Sequence, residues 1–406
     1  MYIKRNIENQ ILKASDEYPV IMVCGQQQVG KSTMLNMIKE PERKYVSLDD
    51  RMARKLAHED VDLFFETYGY PIIIDEFQRE PDILLKIKDI VDKLGYEGKN
   101  NNGLFWLTGS QKFKMMKNVS ESLAGRIAIF EMSGLSQQEI NDINIQFTTN
   151  INELKLRKFT KKTIHQIYDD IFRGGLPKLV SSNIDRDTYF SNYINTYLEK
   201  DIHELENVGK LDDFYSFMVF IAARTAQELN YEEISKQIGI SAPTAKSWIT
   251  MLERSGVLFL LHPYNKKVSD RLIKRPKLYF MDTGLCSYLC RWPNSLTLEN
   301  GNMDGAFFET YVISEIVKNY YNSGKEINNL YYYRDIDKRE IDLIIEDYDS
   351  LTPIEIKKNK TPNAPDKNFY VLEKFGKRIN TGLAICMSNE VMPYNRNCWY
   401  IPVELI

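Results

Sequence analysis

In the first 140 residues, short and nearly continuous apolar runs alternate with stretches typical of amphipathic helices. A strand that helices cover on both faces is apolar at nearly every position, whereas a half-exposed strand alternates. The pattern therefore predicts a parallel β-sheet with helices on both faces, an α/β fold. The predicted strands are Val20–Cys24, Lys44–Leu48, Pro71–Asp75, Leu104–Thr108 and Arg126–Met132.

The middle of the chain has a different pattern. Residues 141–228 are predicted to be helical, with one break at Arg173–Pro177 (RGGLP). Between 229 and 262, two short helices, Asn230–Ile238 and Ala242–Ser255, precede the apolar strand Val257–Leu261. Two helices at this spacing followed by a strand indicate a winged helix.

The last hundred residues return to a mixed pattern. A helix is predicted at Ala306–Tyr321, followed by strands at Asn329–Arg334, Glu340–Glu346 and Pro353–Lys357. We therefore predict a multidomain α/β protein whose parts cover residues 1–140, 141–228, 229–300 and 301–406.

Composition narrows the class of protein. The chain has 53 Lys and Arg against 56 Asp and Glu, a net charge of −3, so nucleic-acid binding requires a local basic patch. No apolar run approaches the ~18 residues of a membrane span. The charged N-terminal stretch lacks the apolar core of a secretion signal. The five cysteines are scattered without a C-x-x-C pair, so we expect a cytoplasmic protein without disulfides or structural zinc.

A glycine-rich loop follows the first predicted strand. The stretch GQQQVGKS fits G-x-x-x-x-G-K-[ST] and lies between a strand and a helix, the context that a phosphate-binding loop requires. Backbone N–H groups wrap the phosphates, Lys31 is expected to reach the β- and γ-phosphates, and Ser32 is expected to bind Mg²⁺. The predicted ligand is ATP or ADP with Mg²⁺. The loop residues expected to contact it are Gly25, Gln28, Gly30, Lys31, Ser32 and Thr33.

Two acids follow the next buried run, PIII. Because the carboxyl ends of parallel strands meet at one edge of a sheet, Asp75 is expected beside Mg²⁺, and Glu76 beside the attacking water as its general base. The run LFWLTGS also ends in hydroxyl side chains. Thr108 or Ser110 is a candidate contact of the γ-phosphate, and the alternative is a cap at the strand end.

Arg126, in the stretch SLAGR, is the candidate for stabilising transition-state charge. A planar guanidinium suits the charge that spreads over a phosphoryl group. The alternative is an ordinary surface ion pair.

A second set of acids lies near the C-terminus. Glu309 lies on a predicted helix, Asp342 lies in EIDLII, and Glu355 and Lys357 share one face of the next strand. Carboxylates in this arrangement can hold Mg²⁺ or Mn²⁺, which activates water, while the lysine assists. The alternative is a pair of amphipathic strands with exposed charges.

Basic residues cluster between these regions. Six cations against Asp270 give a local charge of +5, and they are Lys266, Lys267, Arg271, Lys274, Arg275 and Lys277. Such a strip can follow phosphates, although a solvated linker is the alternative. Lys246 on the second winged-helix helix is a further candidate for DNA contact, unless that unit only packs against its neighbours. The DNA-binding candidates are thus Lys246, Arg271, Lys274 and Arg275.

These motifs resemble those of the AAA+/STAND-type ATPases of bacteria and archaea that carry a C-terminal DUF4143 domain. The matching stretches are GQQQVGKST, YVSLDD, IIIDEFQREP, LTGSQKF, SESLAGR, RDIDKREIDLII and PIEIKK. They spread over essentially the whole chain. Gln26 and Gln27 stand where members often have Pro and Arg, so any contact of that arginine is missing here.

The resemblance implies a P-loop NTPase core of the AAA+ (ASCE) class, a helical lid at 141–228, and a winged helix with a basic linker at 229–300. It implies that RGGLP corresponds to the GxP motif of STAND lids, with Pro177 near the adenine. The acids near the C-terminus match the D…ExK pattern of the PD-(D/E)xK, or restriction-endonuclease-like, superfamily, with Glu309 as the acid on the first helix. This implies a nuclease-like domain at 301–406.

Three hypotheses about function follow. In the first, ATP hydrolysis controls a DNA-directed, metal-dependent nuclease-like domain. In the second, the chain is a STAND-like nucleotide switch whose C-terminal domain only binds a partner. In the third, it is a nucleotide-binding structural adaptor without hydrolysis, which Glu76 disfavours. ATP is the expected ligand, DNA and a second copy of the chain are candidate partners, and no membrane is expected.

Overall fold

The computed structural model describes residues 2–109, 119, 122–198, 211–267, 271 and 274–406. Its N-terminal part alternates helices and strands as the sequence predicts. In order these are α1 (Glu8–Glu17), β1 (Val20–Cys24), α2 (Lys31–Ile38), β2 (Lys44–Ser47), α3 (Arg51–Glu59), α4 (Val61–Tyr68), β3 (Ile72–Asp75), α5 (Ile83–Tyr96), β4 (Phe105–Gly109) and β5 (Ile127–Glu131).

Among the described residues, five parallel strands form the N-terminal sheet in the order β2-β3-β4-β1-β5. All residues of β1, β3 and β4 are buried, which is why these strands are apolar up to Asp75 at the end of β3 and Thr108 near the end of β4. The loop after β1 and the acids after β3 lie at the carboxyl edge of this sheet. The predicted α/β fold with a P-loop NTPase sheet is confirmed.

Short helices with non-helical segments between them form the next part. They are α6 (Gln137–Ile140), α7 (Ile151–Leu156), α8 (Ile164–Arg173), α9 (Pro177–Ser181), α10 (Arg186–Tyr193) and α11 (Leu211–Ala222). The prediction of nearly continuous helix over 141–228 was too broad, since residues 143–150 and 157–163 are not helical. The backbone of the first segment bonds to a side chain instead, because Asn319 accepts from Phe147 N at 2.7 Å and donates to Ile145 O at 3.0 Å.

Two helices and a small sheet follow. The elements are β6 (Gln227–Glu228), α12 (Tyr231–Ile238), α13 (Ala242–Arg254), β7 (Leu258–Leu261) and β8 (Lys277–Phe280). Asn230 and Ser241 cap the two helices through their side chains, and Gly239 ends the first in the left-handed region. In the described residues, β6, β8 and β7 pair antiparallel in that order.

The C-terminal part is a mixed sheet with helices before it. Its elements are α14 (Thr283–Leu289), α15 (Ser295–Glu299), α16 (Asp304–Asn322), β9 (Leu330–Arg334), β10 (Glu340–Glu346), β11 (Ser350–Ile356), β12 (Arg378–Ile379), β13 (Gly382–Cys386), β14 (Met392–Pro393) and β15 (Cys398–Pro402). The strand order is β14-β15-β13-β11-β10-β9, with β12 beside β11.

One apolar cluster extends through several parts of the chain. It joins Ile21 on the N-terminal sheet with Phe217, Trp248, Ile316 and Ile354 from the middle and C-terminal parts. A second cluster fills the other face of the N-terminal sheet. The parts therefore share buried surface, and the predicted domain boundaries remain predictions.

Candidate functional site

The glycine-rich loop joins β1 to α2 at the carboxyl edge of the N-terminal sheet. Gly25 has φ +138°, and a Cβ there would lie 2.0 Å from the carbonyl oxygen of Met132, so this position requires glycine. Lys31 Nζ donates to the carbonyl oxygens of Gly25 and Gln26, both at 2.9 Å. The ammonium thus lies within the curve of the loop.

Asp75 is oriented by three hydroxyl groups. Ser32 Oγ donates to its Oδ1 at 2.7 Å, and Tyr45 donates to its Oδ2 at 2.8 Å. The Thr108 hydroxyl also donates to Oδ1, and Thr108 is fully buried. Thr108 therefore positions the carboxylate in this structure, while Ser110 lies outside the described residues.

Glu76 follows Asp75 with φ 55°, in the left-handed region that non-glycine residues seldom adopt. The side-chain amide of Gln78 donates to its carboxylate. Burial raises the pKa of Glu76 above its usual value. The Lys31 charge opposes this increase, and the Asp75 charge adds to it. A carboxylate with a raised pKa at this position is suited to accept a proton.

A cavity of about 810 Å³ opens over the loop. Its walls come from the loop, the acids, the N-terminal segment and α9. The lining residues include Tyr2, Ile3, Arg5, Gln28, Gly30, Lys31, Ser32, Thr33, Asp49, Glu76, Pro177 and Lys178. The cavity thus brings the predicted loop residues other than Gly25 together with Glu76 and with Pro177, the first residue of α9.

Arg5, which no sequence pattern singles out, also lines this cavity. Its guanidinium donates to the carbonyl oxygens of Val29 and Ser133, both at 2.8 Å, and pairs with Glu139 at 2.8 Å. Glu139 also completes a capping box with Ser136. The S-x-x-E spacing could have indicated the cap, but no local pattern reveals a partner 134 residues away.

Arg126 does not lie at this cavity. It precedes β5, and its carbonyl oxygen accepts from Val20 N, so it lies at the amino edge of the sheet. The loop lies at the opposite, carboxyl edge. The guanidinium instead pairs with Asp92 on α5, with N···O distances of 2.6 and 3.0 Å. The structure thus gives no support to Arg126 as a residue that stabilises phosphoryl charge in the cavity of its own chain. Arg126 instead forms an ion pair with Asp92, the kind of contact that the sequence left open as the alternative.

The acids of the C-terminal part lie close together. Lys357 Nζ is 2.7 Å from Glu355 Oε1 and 3.5 Å from Asp342 Oδ2, and Ile356 N donates to the same Asp342 oxygen at 2.8 Å. Ile341 pairs with Tyr333 and Ile344 pairs with Tyr331, so two residues of β10 lie opposite one residue of β9. Asp342 is one of the two residues in this β-bulge. The bulge is not visible in the sequence pattern.

Lys277, which the sequence placed in the basic strip, lies among these acids. Its Nζ is 2.8 Å from Glu309 Oε1, 2.5 Å from Glu340 Oε1 and 4.0 Å from Asp342 Oδ1. Tyr279 also donates to Glu309 Oε1, at 2.6 Å. Burial raises the pKa of Glu309 and of Glu355, and the Asp342 charge raises both further.

The predicted metal ligands Glu309, Asp342 and Glu355 do not fit a divalent cation in this arrangement. Ammonium, hydroxyl and backbone N–H donors already contact their oxygens, and Mg²⁺ requires about six oxygen ligands at close range. Among the described residues, no group of three or more Asp, Glu, His or Cys side chains that could hold a metal ion is found.

The DNA-binding candidates divide into exposed and buried residues. Lys246, Lys274 and Arg275 are exposed. Arg271 is buried, pairs with Glu346 at 2.7 Å and lies over the ring of Tyr264. The +5 strip is therefore solvent-facing only in part. Arg271 and Lys277 are buried, whereas the other four cations, Lys266, Lys267, Lys274 and Arg275, are exposed. Asp270 lies outside the described residues.

Comparison with known families identifies three regions. Residues 17–141 match the AAA domain, residues 164–296 match a domain of unknown function, DUF8612, and residues 304–406 match a domain of unknown function, DUF4143. The second region runs across the boundary predicted between lid and winged helix.

Similar proteins occur in mycobacteria. The chain is 26% identical over 364 residues to the uncharacterized protein Rv2008c of Mycobacterium tuberculosis and, equally, to Mb2031c of Mycobacterium bovis, covering 89% of this chain and 75% of each relative. A Walker-type ATPase of Pyrococcus abyssi superposes with TM-score 0.43 and 15% identity over 71% of this chain and 96% of that one. A variant of Thermotoga maritima RuvB superposes with TM-score 0.32 and 14% identity over 63% of this chain and 88% of that one.

None of the helices in the described part of the chain has the length and apolar character needed to cross a bilayer. The predicted pairing of an ATPase-like domain with DUF4143 is confirmed. The chain carries an AAA domain followed, at its C-terminus, by a DUF4143 domain.

Proposed function

We propose that the protein binds and hydrolyses ATP in the cavity over the glycine-rich loop. The observation that carries this proposal is the 2.7 Å hydrogen bond between Ser32 and Asp75, which joins the two halves of the expected site across 43 residues of sequence. A hydroxyl and a carboxylate at this distance fit Mg²⁺, which when bound would neutralise phosphate charge.

The other residues take roles set by their chemistry. Backbone N–H groups of the loop and the ammonium of Lys31 would hold the phosphates. Glu76 would accept a proton from the attacking water, since it lines the same cavity and its pKa is raised by burial. Pro177 would border the base.

Contacts between the loop and α10 support coupling of nucleotide state to the rest of the chain. Gln26 Nε2 donates to the Tyr193 hydroxyl at 2.8 Å, and the Tyr189 hydroxyl donates to Gln28 Oε1 at 2.5 Å. A nucleotide that reorders the outer loop would disturb these contacts. We propose that the chain acts as a nucleotide-dependent switch in which α9 and α10 transmit the change.

A DNA-directed role is the second candidate. Exposed Lys246, Lys274 and Arg275 favour it, because phosphate contacts by such residues dominate DNA affinity. Cleavage by the C-terminal part has less support, since lysines contact its carboxylates.

The central test measures nucleotide binding and phosphate release on one preparation. Wild type should bind a fluorescent ATP analogue and release phosphate, Lys31→Ala should lose both, and Lys39→Ala, just beyond the far end of the same helix, should keep both. Absence of nucleotide binding by wild type would contradict the proposal.

The DNA role needs its own assay. Polarisation of a labelled duplex should show binding that weakens with salt, and the triple variant Lys246→Ala, Lys274→Ala, Arg275→Ala should have a smaller salt dependence by about one per lost phosphate contact. Plasmid cleavage with Mg²⁺ or Mn²⁺, compared with Lys357→Ala, tests nuclease activity directly.

A further inference from the structure

A buried lysine stands in the centre of the C-terminal acids. Lys277 belongs to β8, in the small antiparallel sheet, and is only 1% exposed. Its ammonium nitrogen lies 2.8 Å from Glu309 Oε1 and 2.5 Å from Glu340 Oε1, so it forms two ion pairs inside the protein.

The backbone around Lys277 is held firmly against the C-terminal sheet. Tyr332 N donates to His262 O at 3.0 Å, and Tyr264 N donates to Tyr332 O at 2.6 Å. The Tyr332 hydroxyl donates to the carbonyl oxygen of Arg275 at 2.5 Å, two residues before Lys277. The first two bonds hold the residues after β7 beside β9, and β7 pairs with β8 at Leu261 and Lys277. Together with the bond to Arg275, they set the position from which the ammonium reaches the acids.

The ammonium and its neighbours contact carboxylate oxygens that the sequence predicted as metal ligands. Glu309 Oε1 contacts both Lys277 and Tyr279, and Asp342 lies between Lys277 and Lys357. Burying an acid cluster without counter-charge is costly, so some cation is required. Here that cation is supplied by the chain itself.

We propose that Lys277 is the resident cation of the C-terminal carboxylate cluster and takes the place of a divalent metal. The cluster Glu309, Glu340 and Asp342 thereby binds the small antiparallel sheet to the C-terminal part. This role is independent of nucleotide binding and of the proposed ATPase. It makes the DUF4143 domain a metal-free unit while Lys277 is in position.

The test measures Mn²⁺ binding to the full chain without nucleotide. The electron paramagnetic resonance signal of free Mn²⁺ is the readout, because it decreases when the ion binds. All proteins carry Asp75→Asn, which removes the expected metal ligand of the ATPase site. The parent protein should bind no Mn²⁺. Lys277→Met, which keeps the length of the side chain but removes its charge, should gain one Mn²⁺ site that the parent lacks. Lys274→Met, three residues earlier in the chain and exposed, should behave as the parent.

Thermal unfolding provides the second readout. Lys277→Met should unfold at lower temperature than the parent and recover when Mn²⁺ is added, whereas Lys277→Arg should keep the parent's stability. If the parent binds Mn²⁺ and loses it on Asp342→Asn, the cluster is a metal site and the proposal fails. It also fails if Lys277→Met folds but gains no Mn²⁺ site. Should Lys277→Met not fold, the parent and its Asp342→Asn variant still decide the outcome.

Discussion

Single residues at the end of β3 carry the chemistry proposed for the N-terminal part. Asp75 is held by the hydroxyls of Ser32 and Tyr45, and Glu76 turns into the cavity through a left-handed backbone conformation. Neighbouring acids thus face different surroundings, one inside a hydrogen-bond network and the other at a cavity wall. This division suits one residue for a metal and the other for a water.

Replacing Glu76 by Gln tests the second role. We expect ATP hydrolysis to fall by about 10²- to 10⁴-fold while nucleotide affinity stays near that of wild type, because a general base acts on the chemical step. Phosphate release and analogue binding measure the two effects. Glu80→Gln, an acid of the same loop that pairs with His58 at the surface, should leave both unchanged. Equal loss of binding and hydrolysis would assign Glu76 to nucleotide binding instead.

The same residue predicts a pH dependence. Because burial raises the pKa of Glu76, its base form is lost at a higher pH than for an ordinary glutamate. The hydrolysis rate should therefore fall as the pH drops through this raised pKa and level off above it. In Glu76→Gln, the single-turnover rate should no longer fall at low pH. If it still falls, the titrating group that controls the rate is a residue other than Glu76.

Arg5 and Glu139 predict a stability effect. Arg5→Met leaves a buried carboxylate without its partner and should lower the free energy of unfolding by about 3–5 kcal/mol. Burial alone would raise the pKa of Glu139, but Arg5 and backbone N–H groups outweigh it and hold the pKa below its usual value. The stabilisation is thus fully present at pH values above the pKa of Glu139 in the unfolded chain. It is lost as the pH falls through the lower pKa that Glu139 has in the folded protein. Urea unfolding at neutral and acid pH measures this, with exposed Lys4→Met as the control. A difference that does not shrink in acid would rule out the ion pair as its cause.

The sequence could predict residues whose role is set locally. Lys31, Ser32, Asp75 and Glu76 follow from a loop or a strand end, and the structure brings them to one sheet edge. Lys277 could not be predicted in the same way, because a lysine in a basic stretch looks solvated until the fold brings three acids to it from distant parts of the chain.

At the scale of elements, α10 connects the loop to the middle of the chain. Removing both hydroxyls, with Tyr189→Phe and Tyr193→Phe, should strengthen nucleotide binding by about tenfold, because the nucleotide then no longer has to disturb two hydrogen bonds that contribute about 0.5–1.5 kcal/mol each. Titration of a fluorescent ATP analogue measures the change. Tyr215→Phe on α11 is the matched control. If the double variant binds the analogue with unchanged affinity, α10 does not transmit the nucleotide state of the loop to the middle of the chain.

Element boundaries show where sequence patterns reach their limit. The strands of the N-terminal sheet were predicted to within one residue at each end, because burial on both faces makes β1 and most of β3 and β4 apolar. The segment 143–150 was predicted as helix but is not helical, since its backbone groups bond to Asn319 on α16. A contact across 172 residues decides its conformation, and no local pattern contains that information.

At the scale of the whole molecule, α16 ties the C-terminal part to the ATPase-like part. Glu315 Oε2 accepts from Gln137 N at 2.6 Å, Lys318 Nζ donates to Leu135 O at 3.2 Å, and Leu135 itself borders the nucleotide cavity. The shared apolar cluster adds to these bonds. Leu135 thus lies between the cavity and α16 of the DUF4143 domain.

This connection predicts cooperative unfolding. In calorimetry the chain should give one main transition, and ATP or ADP should raise its Tm, because a ligand that binds only the folded state stabilises everything that unfolds with its site. Asn319→Ala leaves the backbone groups of Ile145 and Phe147 without their partner and should lower the free energy of unfolding by about 1–3 kcal/mol without splitting the transition. Asn328→Ala, an exposed residue beyond the same helix, should change neither. Two separate transitions, of which nucleotide shifts only one, would mean that the C-terminal part unfolds independently of the cavity. The shared core would then not couple the DUF4143 domain to ATP.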